Sequence, residues 1–288
     1  MSTQVPRLLS GLVDDAAVFP PGNAALPDAV TAHRTHRAAW YTDMVGPLLL
    51  PASEIQRGSL RGLVDPAEGL VIGLIGDTGL DQLPQALDAL APDGVTARQI
   101  EAPVAKRGED PQPGLSELVA LADRLDGTAV YAEIPLTFGL MGALDTLAEA
   151  RAGGLPVAAK FRTGGLAAEL FPTPVELAAV ICACRDRKLP FKLTAGLHHA
   201  IRHRDPETGF NHHGFVNVLG ATLAAVGGAE VDGVAELLAA TDPVRVVEPA
   251  RAHRDAERPF WVGYGSCSIS EPLTDLIRLG LVNGGFEA

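Results

Sequence analysis

The sequence predicts a (β/α)8 barrel, and three observations lead there. Eight short, strand-forming apolar runs alternate with helix-forming segments almost from end to end. The chain has 288 residues, enough for eight such units and one insertion. No strand runs into a G-x-G-x-x-G turn, the fingerprint of the alternative, an open doubly wound parallel sheet. Alternating strands and helices imply parallel strands joined by helical crossovers.

The expected strands are LVDDAAVF (12–19), GPLLLP (46–51), LVIGLIG (70–76), VTARQIE (95–101), AVYAEIP (129–135), PVAAKFR (156–162), PFKLTAG (190–196) and PFWVGYG (259–265). Pro20, Pro21 and Gly22 end the first in a rigid turn. Between the strands lie segments such as ALPDAVTAHRTHRAAW, LDQLPQALDAL, PGLSELVALADRL and LMGALDTLAEARAG, each long enough for two or more helical turns. TPVELAAVICACRDRKL has the sharpest start: Thr173 as N-cap, Pro174 in the first turn and Glu176 as capping-box partner. After the seventh strand the chain inserts residues 198–258, with two further helix-forming stretches, GFVNVLGATLAAVGG and VDGVAELLAATD. With no Gly/Pro/Ser-rich linker, residues 1–288 read as a single barrel domain carrying that insertion.

Composition narrows the function. A formal net charge of −12 argues against a nucleic-acid backbone binder, whose affinity depends on clustered cations, but leaves room for a small anionic ligand held by local amides. MSTQVPRLLSGLVDD lacks the apolar stretch of a secretion signal, and no run approaches the roughly 18 apolar residues of a membrane span, so no membrane contact and a cytoplasmic location are expected. Three cysteines, Cys182, Cys184 and Cys267, fit reduced thiols better than a disulfide framework. Cys267, with no base next to it in sequence, reads as inert packing. A homo-oligomer is left open.

The chemistry is in the strands. Alternate residues of a barrel strand face the centre, and the C-terminal strand ends form the active face. One parity sends Gln99, Glu101, Tyr131, Glu133, Lys160, Arg162, Lys192 and Thr194 inward; the other would push the charges against the helices, at several kcal/mol each. The inward parity gathers two carboxylates, two lysines and an arginine on four successive strands. They either neutralise one another or line a pocket. Two ammonium groups about 6 Å apart at an effective dielectric of about 20 repel by about 3 kcal/mol, about two pK units, which would leave one amine able to attack a carbonyl.

Three short motifs, AKFRTGG, TPVELA and FKLTAGL, resemble the class I aldolases of the deoxyribose-phosphate aldolase type over residues 156–200. The shared pattern is K-x-x-T-G, T-P-x-E and K-x-[ST]-x-G, with the lysines 192 − 160 = 32 residues apart. The resemblance implies that Lys160 forms the Schiff base, that Lys192 lowers its pKa, and that Thr194 and Gly196 shape the turn after the seventh strand. Departures are that Arg162 stands where the family tends to place a small hydroxyl residue, that the family's acid/base aspartate has no clear equivalent, and that His198 and His199 are foreign to it. By location, Glu101 or Glu133 would move the protons. LVDDAAVFPP also resembles a family without an assigned activity; Asp14 or Asp15 would face the barrel mouth, and the pair reads as a local hydrogen-bonding device rather than a catalytic dyad.

Five of the eight histidines, His198, His199, His203, His212 and His213, lie within sixteen residues. His198, in register with Lys192, Thr194 and Gly196, is the one expected to reach a substrate, and the others read as a capping loop or as metal ligands. After the eighth strand, Gly265, Ser266 and Ser268 are candidate anion contacts before a helix N-terminus, or ordinary turn residues.

The expected function is therefore a lyase acting on a small carbonyl compound, phosphorylated or carboxylated, without a cofactor. Its catalytic set is Lys160, Lys192, Glu133, Glu101 and His198; Arg162, Thr194, Gly196, Gly265, Ser266 and Ser268 would hold the substrate. One alternative is a hydrolase or isomerase using a divalent metal held by Asp77, Glu101 and Glu133, or by His198, His199, His212 and His213. The other is a non-catalytic barrel that only binds.

Overall fold

A computed structural model describes residues 5–125 and 127–284; the first four residues of the N-terminal stretch discussed above lie outside them. The chain forms a closed eight-stranded parallel barrel with alternating helices, so the α/β barrel expected from the sequence is what the chain adopts. Its strands are β1 (Val13–Asp15), β2 (Val45–Pro51), β3 (Val71–Ile75), β4 (Thr96–Pro103), β5 (Ala129–Glu133), β6 (Val157–Arg162), β7 (Phe191–Thr194) and, after an inserted two-stranded hairpin of β8 (His203–Arg204) and β9 (Asn211–His212), β10 (Trp261–Ser266). Around the barrel the order is β1-β10-β7-β6-β5-β4-β3-β2. The helices are α1 (Leu26–Ala38), α2 (Ala52–Gln56), α3 (Leu83–Asp88), α4 (Gln112–Ala122), α5 (Leu140–Ala152), α6 (Pro174–Asp186), α7 (Phe215–Val226), α8 (Val231–Ala239), α9 (Pro243–Ala252) and α10 (Ser270–Arg278). Among the described residues no helix is long and apolar enough to cross a membrane.

Contacts divide the chain into two compact units. One holds residues 16–33 and 47–161 and contains β3, β4, β5 and most of β2 and β6. Its strands pair in parallel, with one register shift between Ile72 and Gly73 where β3 meets β4, and they place Glu101 beside Tyr131 and Glu133 beside Lys160. Two side-chain rows emerge from that register. Ile100, Ala102, Val130, Ala132, Ala159 and Phe161 form a buried apolar row suited to packing under helices. Gln99, Glu101, Tyr131, Glu133 and Lys160 form the other, as the period-two parity requires. Gly73 lies in this second row: a Cβ there would sit 2.5 Å from a Leu49 methyl and 2.7 Å from Gln99 Nε2.

The other unit holds residues up to 15, 34–46 and from 162 onward, with β1, β7, β10, α6 and the whole insertion. β10 pairs with β1 on one side and β7 on the other, placing Asp14 beside Gly265 and Thr194 beside Gly265. α7 is apolar on nearly every face, and it is buried accordingly.

Several strands are shorter than the sequence suggests, β1 and β7 the most. β1 ends at Asp15 rather than Phe19, because the Phe19 N–H turns back to the Ala16 carbonyl at 2.9 Å and the prolines that follow have no N–H to offer a ladder. β7 ends at Thr194 because Ala195 and Gly196 both take positive φ, 64° and 76°. The reason is a close approach: a Cβ on Gly164 would lie 2.8 Å from Gly196 Cα. Thr163 straps the two loops together, its Oγ1 donating to the Ala195 carbonyl at 2.6 Å and its N–H to the Thr194 carbonyl at 2.9 Å.

Candidate active site

In the unit that carries β3 to β6, Lys160 is the centre. Its side chain is 4% exposed, and its ammonium lies 2.7 Å from Glu101 Oε2 and 2.8 Å from Glu133 Oε2. Glu101 is 1% exposed and its other oxygen accepts from Gln99 Nε2 at 3.1 Å, so both oxygens are held. Glu133, at the C-terminal end of β5, is 18% exposed. The arrangement is graded, from a fixed, buried carboxylate through a buried amine to a half-buried carboxylate. Arg162, two residues along the same strand, is exposed.

The electrostatics run opposite to the expectation of an easily deprotonated lysine. Burial works to lower the Lys160 pKa, but the charges and hydrogen bonds of Glu101 and Glu133 outweigh it and hold the amine above the ordinary lysine value. Lys160 rests as an ammonium ion.

In the other unit Lys192, fully buried, forms an ion pair with Asp14. Gly46 makes room for it: a Cβ at that position would come 1.8 Å from Asp14 Oδ1. Asp14 is thus more than a local hydrogen-bonding device. Each lysine has its own acid, the neutralised arrangement that the sequence left open. Thr194 is half-buried, and Gly196 supplies the tight turn described above.

The histidines separate into different roles. His213 is completely buried: its Nε2 donates to the Pro172 carbonyl at 2.8 Å and its Nδ1 accepts from Arg202 Nη1 at 3.3 Å. Both ring nitrogens are thereby engaged, and burial first, then the Arg202 and His212 charges, push its pKa down to about 4. His212 Nδ1 donates to the Gly196 carbonyl at 3.2 Å, and its ring lies 5.2 Å from that of His203 and 4.8 Å from that of Phe171. His199 lies 3.3 Å from Asp275. Among the described residues no three His, Cys, Asp or Glu side chains gather as a metal-binding group. Asp77 accepts from the Ser53 N–H and hydroxyl at 3.0 and 2.5 Å, tying the loop after β3 to the start of α2.

After β10 the serines hold their own turn. Ser266 Oγ donates to the Ser268 carbonyl at 2.7 Å, and Ser268 Oγ accepts from the Glu271 N–H at 3.2 Å. Gly265 lies in β10 itself. The fold also supplies what the sequence did not show beside Cys267: His198 Nδ1 is 3.7 Å from its sulfur. No signal in the linear sequence joins residues 69 positions apart.

A parallel (β/α)8 barrel with ionisable side chains toward its strand ends is compatible with an enzyme. No protein-family model matches this sequence, and no curated protein matches it.

Proposed function

We propose that the protein is a lyase of class I aldolase type, in which Lys160 forms an imine with a small carbonyl compound and Glu133 moves the protons. The observation that carries this reading is the pair of carboxylates on one buried amine. One carboxylate suffices to neutralise a lysine; the second places a further proton acceptor 2.8 Å from the group that must lose a proton. The ammonium passes a proton to Glu133, the neutral amine attacks the carbonyl carbon, and Glu133 returns the proton to the carbinolamine oxygen as water leaves. The products are one iminium ion and one water. Glu101, held by Gln99, keeps the nitrogen in place and stabilises the cation.

A second reading is favoured by the raised proton affinity of Lys160. In it the amine keeps its proton and stabilises an enolate, while Glu133 removes the proton α to the carbonyl, as in a cofactor-independent isomerase.

One experiment separates them. The protein is incubated with small aldehydes and ketones, phosphorylated and carboxylated ones included, then reduced with borohydride and mapped by mass spectrometry. Covalent mass on Lys160, absent in Lys160→Met, is the result expected for the lyase. Deuterium exchange at the α-carbon with no trapped adduct selects the isomerase. A compound that raises the melting temperature yet gives neither result defeats both.

A further inference from the structure

We propose that Cys267 and His198 form a covalent site at which the Cys267 thiol adds to small α,β-unsaturated carbonyl compounds. The two residues come from the loops that follow the neighbouring strands β10 and β7, on the face of the barrel where strands end. Sγ of Cys267 and Nδ1 of His198 are 3.7 Å apart, within reach of a sulfur hydrogen bond. Neither is sealed off: Cys267 is half-buried and the His198 side chain is 24% exposed.

Three features make this a nucleophile and its base. First, His198 is neutral at neutral pH, since burial, followed by the repulsion of the His212, His199 and His203 imidazoles, lowers its pKa against the pull of Glu271. A neutral imidazole accepts the thiol proton. Second, Glu271 Oε2 lies 3.7 Å from the same His198 nitrogen and steadies the imidazolium that results. Third, the turn is rigid: Ser266 and Ser268 bond to each other and to the first turn of α10, which begins three residues after the cysteine and favours a thiolate. Cys182 and Cys184 are internal controls, because both are buried and burial raises both thiols, Cys184 strongly.

The step balances without an oxidant. Cys267 gives its proton to His198, the thiolate attacks the β-carbon, the carbon–carbon double bond becomes an enolate, and His198 returns the proton to the α-carbon. The result is a thioether, with S–H added across the double bond.

The probe is methyl vinyl ketone, with iodoacetamide as a second alkylating reagent, and the readout is the rate of adduct formation at each cysteine against pH. Cys267 is expected to react first, with an apparent midpoint below the value of about 8.5 for a free thiol. His198→Asn is expected to slow it about tenfold or more at pH 7 and return the midpoint to the free-thiol value, and Cys267→Ser to abolish the adduct. Should His198→Asn lose its melting transition, Glu271→Gln is expected to slow the reaction about twofold to fivefold with the fold intact. A Cys267 rate equal to that of the urea-unfolded chain, or one indifferent to these substitutions, overturns the site.

Discussion

A charged atom deep in a protein is tolerable only beside its counter-ion, and Lys192 shows how narrow that condition is. Asp14 reaches it because Gly46 has no side chain. Asp14→Asn keeps the shape and removes the negative charge that faces a buried ammonium; the expected loss is about 3–5 kcal/mol in urea unfolding. Adding Lys192→Met to Asp14→Asn should restore most of it, since removing both charges leaves no ion to desolvate. A double variant as unstable as the single one would mean that shape rather than charge is at stake. The partners of Lys160 were legible because a strand shows alternate residues to one face, so Glu101, Glu133 and Lys160 fall together by parity alone. Asp14 was not. Two adjacent aspartates at a strand look like a turn device, and nothing near Gly46 announces that its missing Cβ is another residue's space.

Among the elements, α6 starts where its sequence says. Thr173 Oγ1 accepts from the Glu176 N–H at 3.2 Å and Glu176 accepts from the Thr173 N–H at 2.7 Å, a purely local arrangement. The insertion is held differently. Asn217 on α7 is buried, its Nδ2 donating to the carbonyls of Leu237 at 2.8 Å and Ala240 at 2.7 Å, at the end of α8. Its Oδ1 accepts from the Arg202 N–H at 2.8 Å. Asn217→Ala removes the side-chain partner of three backbone groups, of which the Leu237 carbonyl keeps the Ala240 N–H at 3.3 Å, and a loss of about 2–3 kcal/mol is expected, with faster amide exchange at Arg202 and over the end of α8. Unchanged exchange there would show that the asparagine does not fasten these segments. The same scale explains the paired glycines of AKFRTGG and FKLTAGL. Gly164 and Gly196 let two loop backbones touch, and Thr163 bonds across the contact, so these motif positions have a packing reason independent of any chemistry.

For the whole molecule, ionisable groups that the fold holds away from their ordinary pKa values limit stability at both ends of the pH scale. The folded protein protonates His213 only near pH 4, whereas a free imidazole takes its proton near about 6.5. Between those values the unfolded chain binds a proton the fold refuses, so stability falls on acidification, by about 3 kcal/mol at the acid end. On the alkaline side burial keeps Cys184 and Tyr264 neutral beyond their usual range, so the unfolded chain sheds those protons first and stability falls as pH rises past about 9. Lys160 acts with the same sign: its raised pKa stabilises the fold below the ordinary lysine value, and that contribution is lost as pH climbs through the folded value. Melting temperatures from about pH 4 to about pH 11 should trace a dome. A curve flat on the acid side in wild type but sloping in His213→Gln would contradict the role given to that ring.

The sequence by itself determined the barrel, its strand order of charge and the start of α6, because period-two alternation, strand–helix rhythm and helix capping act over a few residues and are written locally. Only the tertiary structure decided that Lys192 holds Asp14, that His213 spends both nitrogens on packing, and that Cys267 stands beside His198. Those outcomes depend on distances between residues far apart in the chain, which are set by how strands close and loops turn, and a linear pattern does not contain them.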